Sequence, residues 1–133
     1  MTLRGFLHDE RGSSPVEFVL VGTMLTALTL GVLQLALVVY VRNVVHDAAV
    51  EGAYHAALAD AAPAAGVERA GEVITRAVGA AYADDITVGR SHDAGKDTVV
   101  VRIRTTMPII GLIGIPAGLE VEAHAPAESF DVE

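Results

Sequence analysis

The sequence contains no cysteine and few basic residues, and each shortage excludes a class of function. Without cysteine there is no disulfide framework, no thiolate metal site and no cysteine nucleophile. Nine Lys and Arg residues stand against 17 Asp and Glu residues, for a formal net charge of -8. Residues 1–42 are neutral overall, so residues 43–133 carry all of this charge. An acidic region without a basic patch repels phosphate, and we therefore expect no nucleic-acid partner.

Apolar residues are abundant, at 52% of the chain, and many of them lie in one run. Residues 18–40 contain no charged side chain. As a helix this run would be about 34 Å long, enough to cross the roughly 30 Å hydrocarbon core of a bilayer. The run is longer than the apolar part of an ordinary secretory signal, and no A-x-A cleavage site follows it. We therefore expect a single membrane span that stays attached, with the lipid bilayer as a partner.

The residues after this run favour continuation of the helix into water. Positions 41–62 are rich in alanine and lack proline, and their apolar residues have helical spacing. The predicted buried stripe consists of Val41, Val44, Val45, Ala48, Ala49, Tyr54 and Leu58. Pro63 disfavours helical geometry in the residue before it, whereas Pro15 suits a first helical turn. The pattern predicts one long helix that begins near Ser14 and ends near Ala62.

A second helix and a hairpin are predicted next. Residues 67–82 place their apolar side chains on one helical face, namely Val67, Ala70, Ile74, Ala77, Val78 and Ala81. After Asp85 the apolar period changes from 3.6 to 2, which is typical of strands. Strands are therefore expected around residues 86–88 and 99–103, joined by a polar turn at 91–96.

A third strand is predicted at residues 119–125, where Glu120 and Glu122 alternate with apolar residues. If it pairs antiparallel with the preceding strand, Arg102 and Arg104 could lie opposite Glu122 and Glu120. The connection at 107–116 is too apolar for a solvated loop, so it either packs under the sheet or meets a partner. The fold class is α+β: a long N-terminal helix, a short helix and a small antiparallel sheet of about three strands.

Glu17 is the most informative residue, because a carboxylate at the edge of an apolar run is energetically costly unless it is paired or has a function. One interpretation is an interfacial acid that reaches water near the start of the span. The segment 11–17 (RGSSPVE) resembles the prepilin-peptidase signal of type IV pilins, in which cutting follows a glycine and the fifth mature residue is glutamate. The resemblance implies a cut between Gly12 and Ser13, which makes Glu17 the fifth residue.

Such a cut would remove a charged leader and create an α-ammonium within one helical turn of Glu17. In a helical stack of subunits, the carboxylate of one chain could then neutralise the ammonium of its neighbour inside the apolar layer. The resemblance thus implies that Glu17 sets the register of assembly.

Beyond the span, three short segments resemble the TadE-like family of minor pseudopilins in tight-adherence (Flp-type) pili: residues 40–43 (YVRN), 47–49 (DAA) and 51–53 (EGA). The resemblance covers mainly residues 11–60. It implies a leader at 1–12, a long helix at 13–62 with its span at about 18–40, and a small extracytoplasmic α+β domain at 63–133. It also implies a non-enzymatic structural or assembly-priming subunit in the cell membrane or in a cell-surface pilus, without a cofactor. The implied partners are other pilin and pseudopilin subunits, prepilin peptidase and the pilus assembly platform in the membrane.

Within the span, Gly22, Thr26 and Thr29 form a stripe of small residues, and Gln34 is the single amide. Small faces permit close helix packing, and glutamine can donate a hydrogen bond across helices, so these residues are candidates for subunit packing. The alternative is lipid exposure, with each threonine bonding its own backbone.

Other constellations favour no metal or catalytic site. Asp47, Glu51 and His55 share a helical stripe that could hold a divalent ion, but a solvated polar face explains them as well. Residues 91–93 (SHD) are of triad types, yet consecutive side chains point in different directions and no nucleophile-elbow pattern surrounds them. Two alternatives to the pilus subunit stay open: an uncleaved single-pass membrane protein with an envelope partner, and an exported enzyme.

Overall fold

The computed structural model describes residues 13–58, 60–93, 95–109 and 114–128. Its elements are helix α1 (Ser13–Ala57), helix α2 (Pro63–Ala77), a 3-10 turn (Ala80–Tyr82) and strands β1 (Asp85–Asp93), β2 (Lys96–Pro108) and β3 (Gly114–Pro126). This arrangement confirms the predicted α+β class with a long helix, a short helix and a three-stranded antiparallel sheet. The chain divides into two compact units, Met1–Leu35 and Ala36–Glu133.

The long helix ends at Ala57, five residues before the predicted end. Ala62 has an extended backbone, with φ -77° and ψ 145°, as expected for a residue that precedes proline. Pro63 occupies the first turn of α2, where its missing N–H is no loss, so it starts a helix there. Residues 58–62 are needed to reverse the chain, which is why α1 stops earlier than its alanine content alone suggests.

Helix α2 is shifted toward the N-terminus relative to the predicted 67–82. It begins four residues earlier and ends at Ala77, because Gly79 adopts a left-handed φ of 107° that does not continue a helix. The N–H groups of Val78 and Gly79 both donate to the Ile74 carbonyl and so close the final turn. Of the remaining predicted residues, Ala80–Tyr82 form the short 3-10 turn.

The sheet is a meander in the order β1-β2-β3, with both pairs antiparallel. Gly95, with φ 79°, supplies the tight turn between β1 and β2. In the β2–β3 pair, Arg102 lies opposite Glu122 and Arg104 opposite Glu120, so the register expected from the alternation pattern is confirmed. Both strands are longer than predicted and include Met107, Pro108 and Ile115 from the apolar connection. Residues 110–113 of that connection lie outside the described residues.

One face of the sheet packs against both helices of the second unit. The buried core draws on α1 (Val41, Val45, Ala48, Ala49, Ala53, Ala56 and Ala57), on α2 (Ala70 and Ile74) and on the inner faces of β2 and β3 (Val99, Val101, Ile103, Leu119, Val121, Ala123 and Ala125). Ile86 and Val88 of β1 pack against this core while partly exposed.

The predicted helical stripes are wrong at several positions. Tyr54 is 60% exposed and Leu58 is 40% exposed, and the α1 side of the core is completed by alanines instead. In α2 and the turn after it, Ala77 and Ala81 are exposed. For Tyr54 and Leu58 the physical reason is that α1 and α2 pack too closely to hold large side chains between them. Ala77 is the last residue of α2, and Ala81 lies in the 3-10 turn beyond it.

Candidate functional site

The first turns of α1 carry the residues to which the sequence assigns processing and assembly. Helical structure begins at Ser13, and Glu17 lies one turn further along on an exposed part of the helix. The two positions are separated by about 6 Å along the helix axis, at 1.5 Å per residue. Gly12 lies outside the described residues. An amine at Ser13 and a carboxylate at Glu17 would therefore occupy adjacent turns of the same helix.

The helix after Glu17 exposes nearly all of its apolar side chains. It is the one helix in the described residues that is long and apolar enough to cross a membrane, and only 6% of its most apolar window is buried. Between Val16 and Leu35 the large apolar side chains are 55–79% exposed, and Phe18 is the most exposed of them. An apolar surface of this extent on a water-soluble protein would be a liability for aggregation, so it indicates a segment that lipid or other helices cover.

The threonines of this segment satisfy their hydroxyl groups locally. Thr23, Thr26 and Thr29 each donate a hydrogen bond over 2.8 Å to the carbonyl four residues earlier. Such bonding removes the cost of an unpaired hydroxyl in hydrocarbon, so these residues are compatible with lipid without a partner helix.

The predicted packing residues do not all share one side of the helix. Thr26 donates to the carbonyl of Gly22, and a Cβ added at Gly22 would meet no atom within 4 Å. At about 100° per residue, Thr29 lies within roughly 20° of Gly22, whereas Gln34 lies about 120° away. Gly22, Thr26 and Thr29 therefore form one open stripe, and Gln34 lies on a different side of the helix. The role of all four in packing stays a prediction.

The second unit contains a close crossing of α1 and α2 that sequence reasoning missed. A Cβ added at Gly52 would lie 2.7 Å from the Gly66 carbonyl oxygen, and one at Gly66 would lie 2.6 Å from the Gly52 carbonyl oxygen. Contacts this short are not possible for a real Cβ, so glycine is required on both helices. The sequence does contain a pattern that could have indicated this crossing. Each helix has two small residues four positions apart, Gly52 and Ala56 in α1 and Gly66 and Ala70 in α2, and such pairs permit two helices to approach closely.

An ion pair lies beside this crossing. The Arg69 guanidinium donates to the Glu51 carboxylate from Nε over 3.0 Å and from Nη2 over 2.5 Å. These hydrogen bonds, and the negative charge of Glu51, raise the pKa of Arg69 above its ordinary value. Glu72 adds a longer contact of 3.4 Å to the same guanidinium. In residues 51–53, then, Glu51 binds α2, Gly52 permits the approach of α2, and Ala53 is buried in the core.

The open face of the sheet is a ladder of paired charges. Arg102 Nη2 lies 2.7 Å from Glu122 Oε2, and Arg104 Nε lies 2.8 Å from Glu120 Oε2. The hydrogen bond from Arg102 lowers the pKa of Glu122, and the same contact raises the pKa of Arg102. Since these charges neutralise one another at the surface, the face offers no concentrated charge to a ligand.

The weaker candidate sites do not assemble in the structure. Glu51 is engaged by Arg69, as described, and no group of three or more metal-ligating side chains occurs within the described residues. His92 Nδ1 lies 2.6 Å from Asp97 Oδ1 across the β1–β2 hairpin, and Ser91 is exposed. The Asp93 side chain lies outside the described residues.

Comparison with known proteins finds a similarity in the N-terminal part of the chain. Residues 12–53 match the family model described as TadE-like protein, which confirms the resemblance found in the sequence. The match covers 42 of the 133 residues, including most of the helix that is long and apolar enough to cross a membrane. The chain matches no curated protein and no solved structure.

Proposed function

We propose, from the TadE-like segment at residues 12–53, that this chain is a minor pseudopilin of a tight-adherence pilus. It acts as a structural or assembly-priming subunit that packs with other pilin and pseudopilin subunits. Residues 1–12 are its leader, the uncharged run of α1 crosses the membrane, and residues 63–133 lie outside the cytoplasm. The assignment does not involve catalysis or a cofactor.

The observation that carries the proposal is the placement of Glu17. This carboxylate lies one turn inside a helix whose next turns expose apolar side chains almost without interruption. A carboxylate within an apolar layer is costly unless it is paired. Cutting after Gly12 provides a pairing group, because it leaves an α-ammonium at Ser13 on every copy of the chain.

Assembly then follows from pairing and packing. While the subunit is in the bilayer, lipid covers the apolar helix and Glu17 lies near the membrane surface. In a helical stack, the ammonium of one chain neutralises Glu17 of its neighbour, so two costly charges become one pair. The open stripe of Gly22, Thr26 and Thr29 lets neighbouring helices approach closely. Prepilin peptidase and the assembly platform in the membrane are the partners that this sequence of events requires.

The proposal is tested by following the subunit into pili sheared from the cell surface. Glu17→Gln keeps the size of the side chain and removes its charge, so we expect a chain that is processed normally but is depleted from the pilus fraction. Asp47→Asn is the matched control, because Asp47 is an exposed carboxylate on the same helix outside the apolar run. Equal recovery of both variants in pili would contradict the assigned role of Glu17.

A further inference from the structure

Strand β3 has one edge that no other strand covers in the described part of the chain. It is the last strand of the sheet, so only β2 pairs with it. In an antiparallel pair, residues that bond the partner strand alternate with residues whose N–H and C=O point away from it. Backbone groups on such an open edge are a template for pairing with another chain.

The outward groups of β3 can be identified from one hydrogen bond. The Ala127 N–H donates over 2.9 Å to the Asp97 carbonyl, in register with the β2–β3 pairing. Odd-numbered residues in the range 119–125 therefore bond β2, and even-numbered residues point outward. Pro126 has an even number and lacks an N–H, as expected for a proline at an open edge. The outward residues, which we call the β3 edge, are Glu120, Glu122 and His124.

Helix α1 borders the β3 edge without filling the space beside it. At the later end of β3, the Glu128 N–H donates over 2.9 Å to the Ala57 carbonyl, so α1 closes that end. Nearer the start of β3, residues 120–122 line a surface depression. Consecutive strand residues point to opposite faces, so a depression that all three line lies at the edge of the strand. Its other wall consists of three polar residues of α1, namely Arg42, Asn43 and His46.

This depression contains a positive charge without a partner, although the chain as a whole is acidic. Arg102 and Arg104 bind the two carboxylates of the β3 edge. Arg42 forms no ion pair with a carboxylate of the described residues. An unpaired guanidinium beside an open strand edge favours a strand that carries a carboxylate.

We propose that the β3 edge binds an extended, acidic segment of a partner protein by strand addition. The segment lies beside residues 120–124, its backbone pairs with the β3 edge, and one of its carboxylates accepts hydrogen bonds from Arg42. A lone segment fits better than the edge strand β1 of a second copy. Strand β1 is packed against α2, and that helix would have to share the space beside α1. The inference goes beyond the proposed function and needs neither processing nor the span, so its failure would leave that function unaffected.

The test is a selection from a random octapeptide library displayed on phage, with the full chain in detergent micelles as bait and empty micelles as background. The Kd of each selected peptide is then measured by fluorescence anisotropy. His124→Pro removes an outward N–H and leaves the β2–β3 ladder intact. Arg90→Pro is the matched control, because the same alternation places Arg90 at an outward position of β1, on the opposite edge. Arg42→Gln removes the positive charge and decides the question of charge even if His124→Pro fails to fold.

We expect the selected peptides to carry Asp or Glu. Their Kd should rise about fivefold in His124→Pro and about 2–5-fold in Arg42→Gln, and it should not change in Arg90→Pro. In hydrogen exchange, the amides of the β3 edge should be fast in the free chain and slow once peptide is bound. The amides of Val121 and Ala123 should be slow in both states.

Several results would overturn the inference. These are a lack of enrichment over empty micelles, an unchanged Kd in a folded His124→Pro or in Arg42→Gln, and binding that leaves exchange at the β3 edge unchanged. Protection of the β3 edge that rises with protein concentration in the absence of peptide would assign the edge to a second copy, and it would also overturn the inference.

Discussion

The crossing of α1 and α2 predicts opposite effects for the same substitution at two glycines of one helix. Glycine to alanine inside a helix ordinarily stabilises by about 0.8–1.0 kcal/mol, because alanine has the higher helix propensity. At Gly66 the added Cβ would lie 2.6 Å from Ala56 Cβ and 2.6 Å from the Gly52 carbonyl oxygen. At Gly71 the nearest atom is Ile86 Cδ1 at 3.7 Å, an ordinary contact.

Overpacking of a close contact costs about 1–3 kcal/mol, and here one of the obstructing atoms belongs to a backbone that cannot rotate away. After the gain in helix propensity is subtracted, Gly66→Ala should lower the free energy of unfolding by up to about 2 kcal/mol. Gly71→Ala should raise it by about 0.5–1 kcal/mol. For a domain of 60–100 residues, each kcal/mol corresponds to about 4–8 °C in Tm.

The assay is thermal and urea unfolding of the full chain in detergent micelles, followed by amide hydrogen exchange in α2 and in the sheet. Hydrogen exchange is chosen because it reports on these elements separately from the apolar helix. The reasoning would be refuted if Gly66→Ala and Gly71→Ala shifted stability in the same direction. A destabilised Gly66→Ala with unchanged exchange in α2 would also contradict it.

Three further predictions concern a buried hydroxyl, an exposed carboxylate and the span. Thr105 is buried and donates a 2.8 Å hydrogen bond to a backbone carbonyl, so Thr105→Val should lower the free energy of unfolding by about 1–2 kcal/mol in urea titrations; an unchanged midpoint would contradict this. The hydrogen bond from Arg102 holds the pKa of Glu122 below its ordinary value of 4.5. The stability that this pair contributes to the fold is therefore complete above pH 4.5, and it is lost as the pH falls through the lower pKa of the folded state. In urea unfolding, Glu122→Gln should therefore lose less stability on acidification than the unmodified chain does. Identical pH profiles for the two would contradict a stabilising role of the Arg102–Glu122 pair. In the span, Gly22→Leu fills the open stripe and should reduce recovery in pili, whereas Gly31→Leu, about 180° away, should not; equal loss would exclude the stripe as the packing face.

Much of the sheet could be predicted from the sequence because its physical signal is local. The alternation of Arg102 and Arg104 with apolar residues fixes which side chains face the core, and the matching alternation of Glu120 and Glu122 fixes the pairing. A slip of either strand by one residue would turn its two charged side chains toward the core. The register therefore follows from side-chain period and charge alone.

The helix crossing could not be predicted from apolar spacing. Tyr54 and Leu58 have the correct spacing for a buried stripe, yet both are exposed. What decides burial there is the distance between two helix backbones, which Gly52 and Gly66 make short. That distance depends on how the chain reverses between α1 and α2, and a periodicity count contains no such information.

The residues of the apolar hairpin end were recognisable in the sequence, but their environment was not. The lack of charge between Arg104 and Glu120 identified an unusual connection and left two interpretations open. In the structure Met107 pairs with Ile115 and Pro108 with Gly114, so part of this connection is strand. Pairing between strand ends across an irregular register has no signature in local composition.

The proposed function requires that the working subunit begins at Ser13, so that Glu17 is its fifth residue. The most direct measurement is the intact mass and N-terminal sequence of the chain purified from membranes of a host with active prepilin peptidase. We expect a chain that starts at Ser13 and a Gly12→Ala variant that retains residues 1–12. Retention of residues 1–12 on the unmodified chain in that host would contradict it.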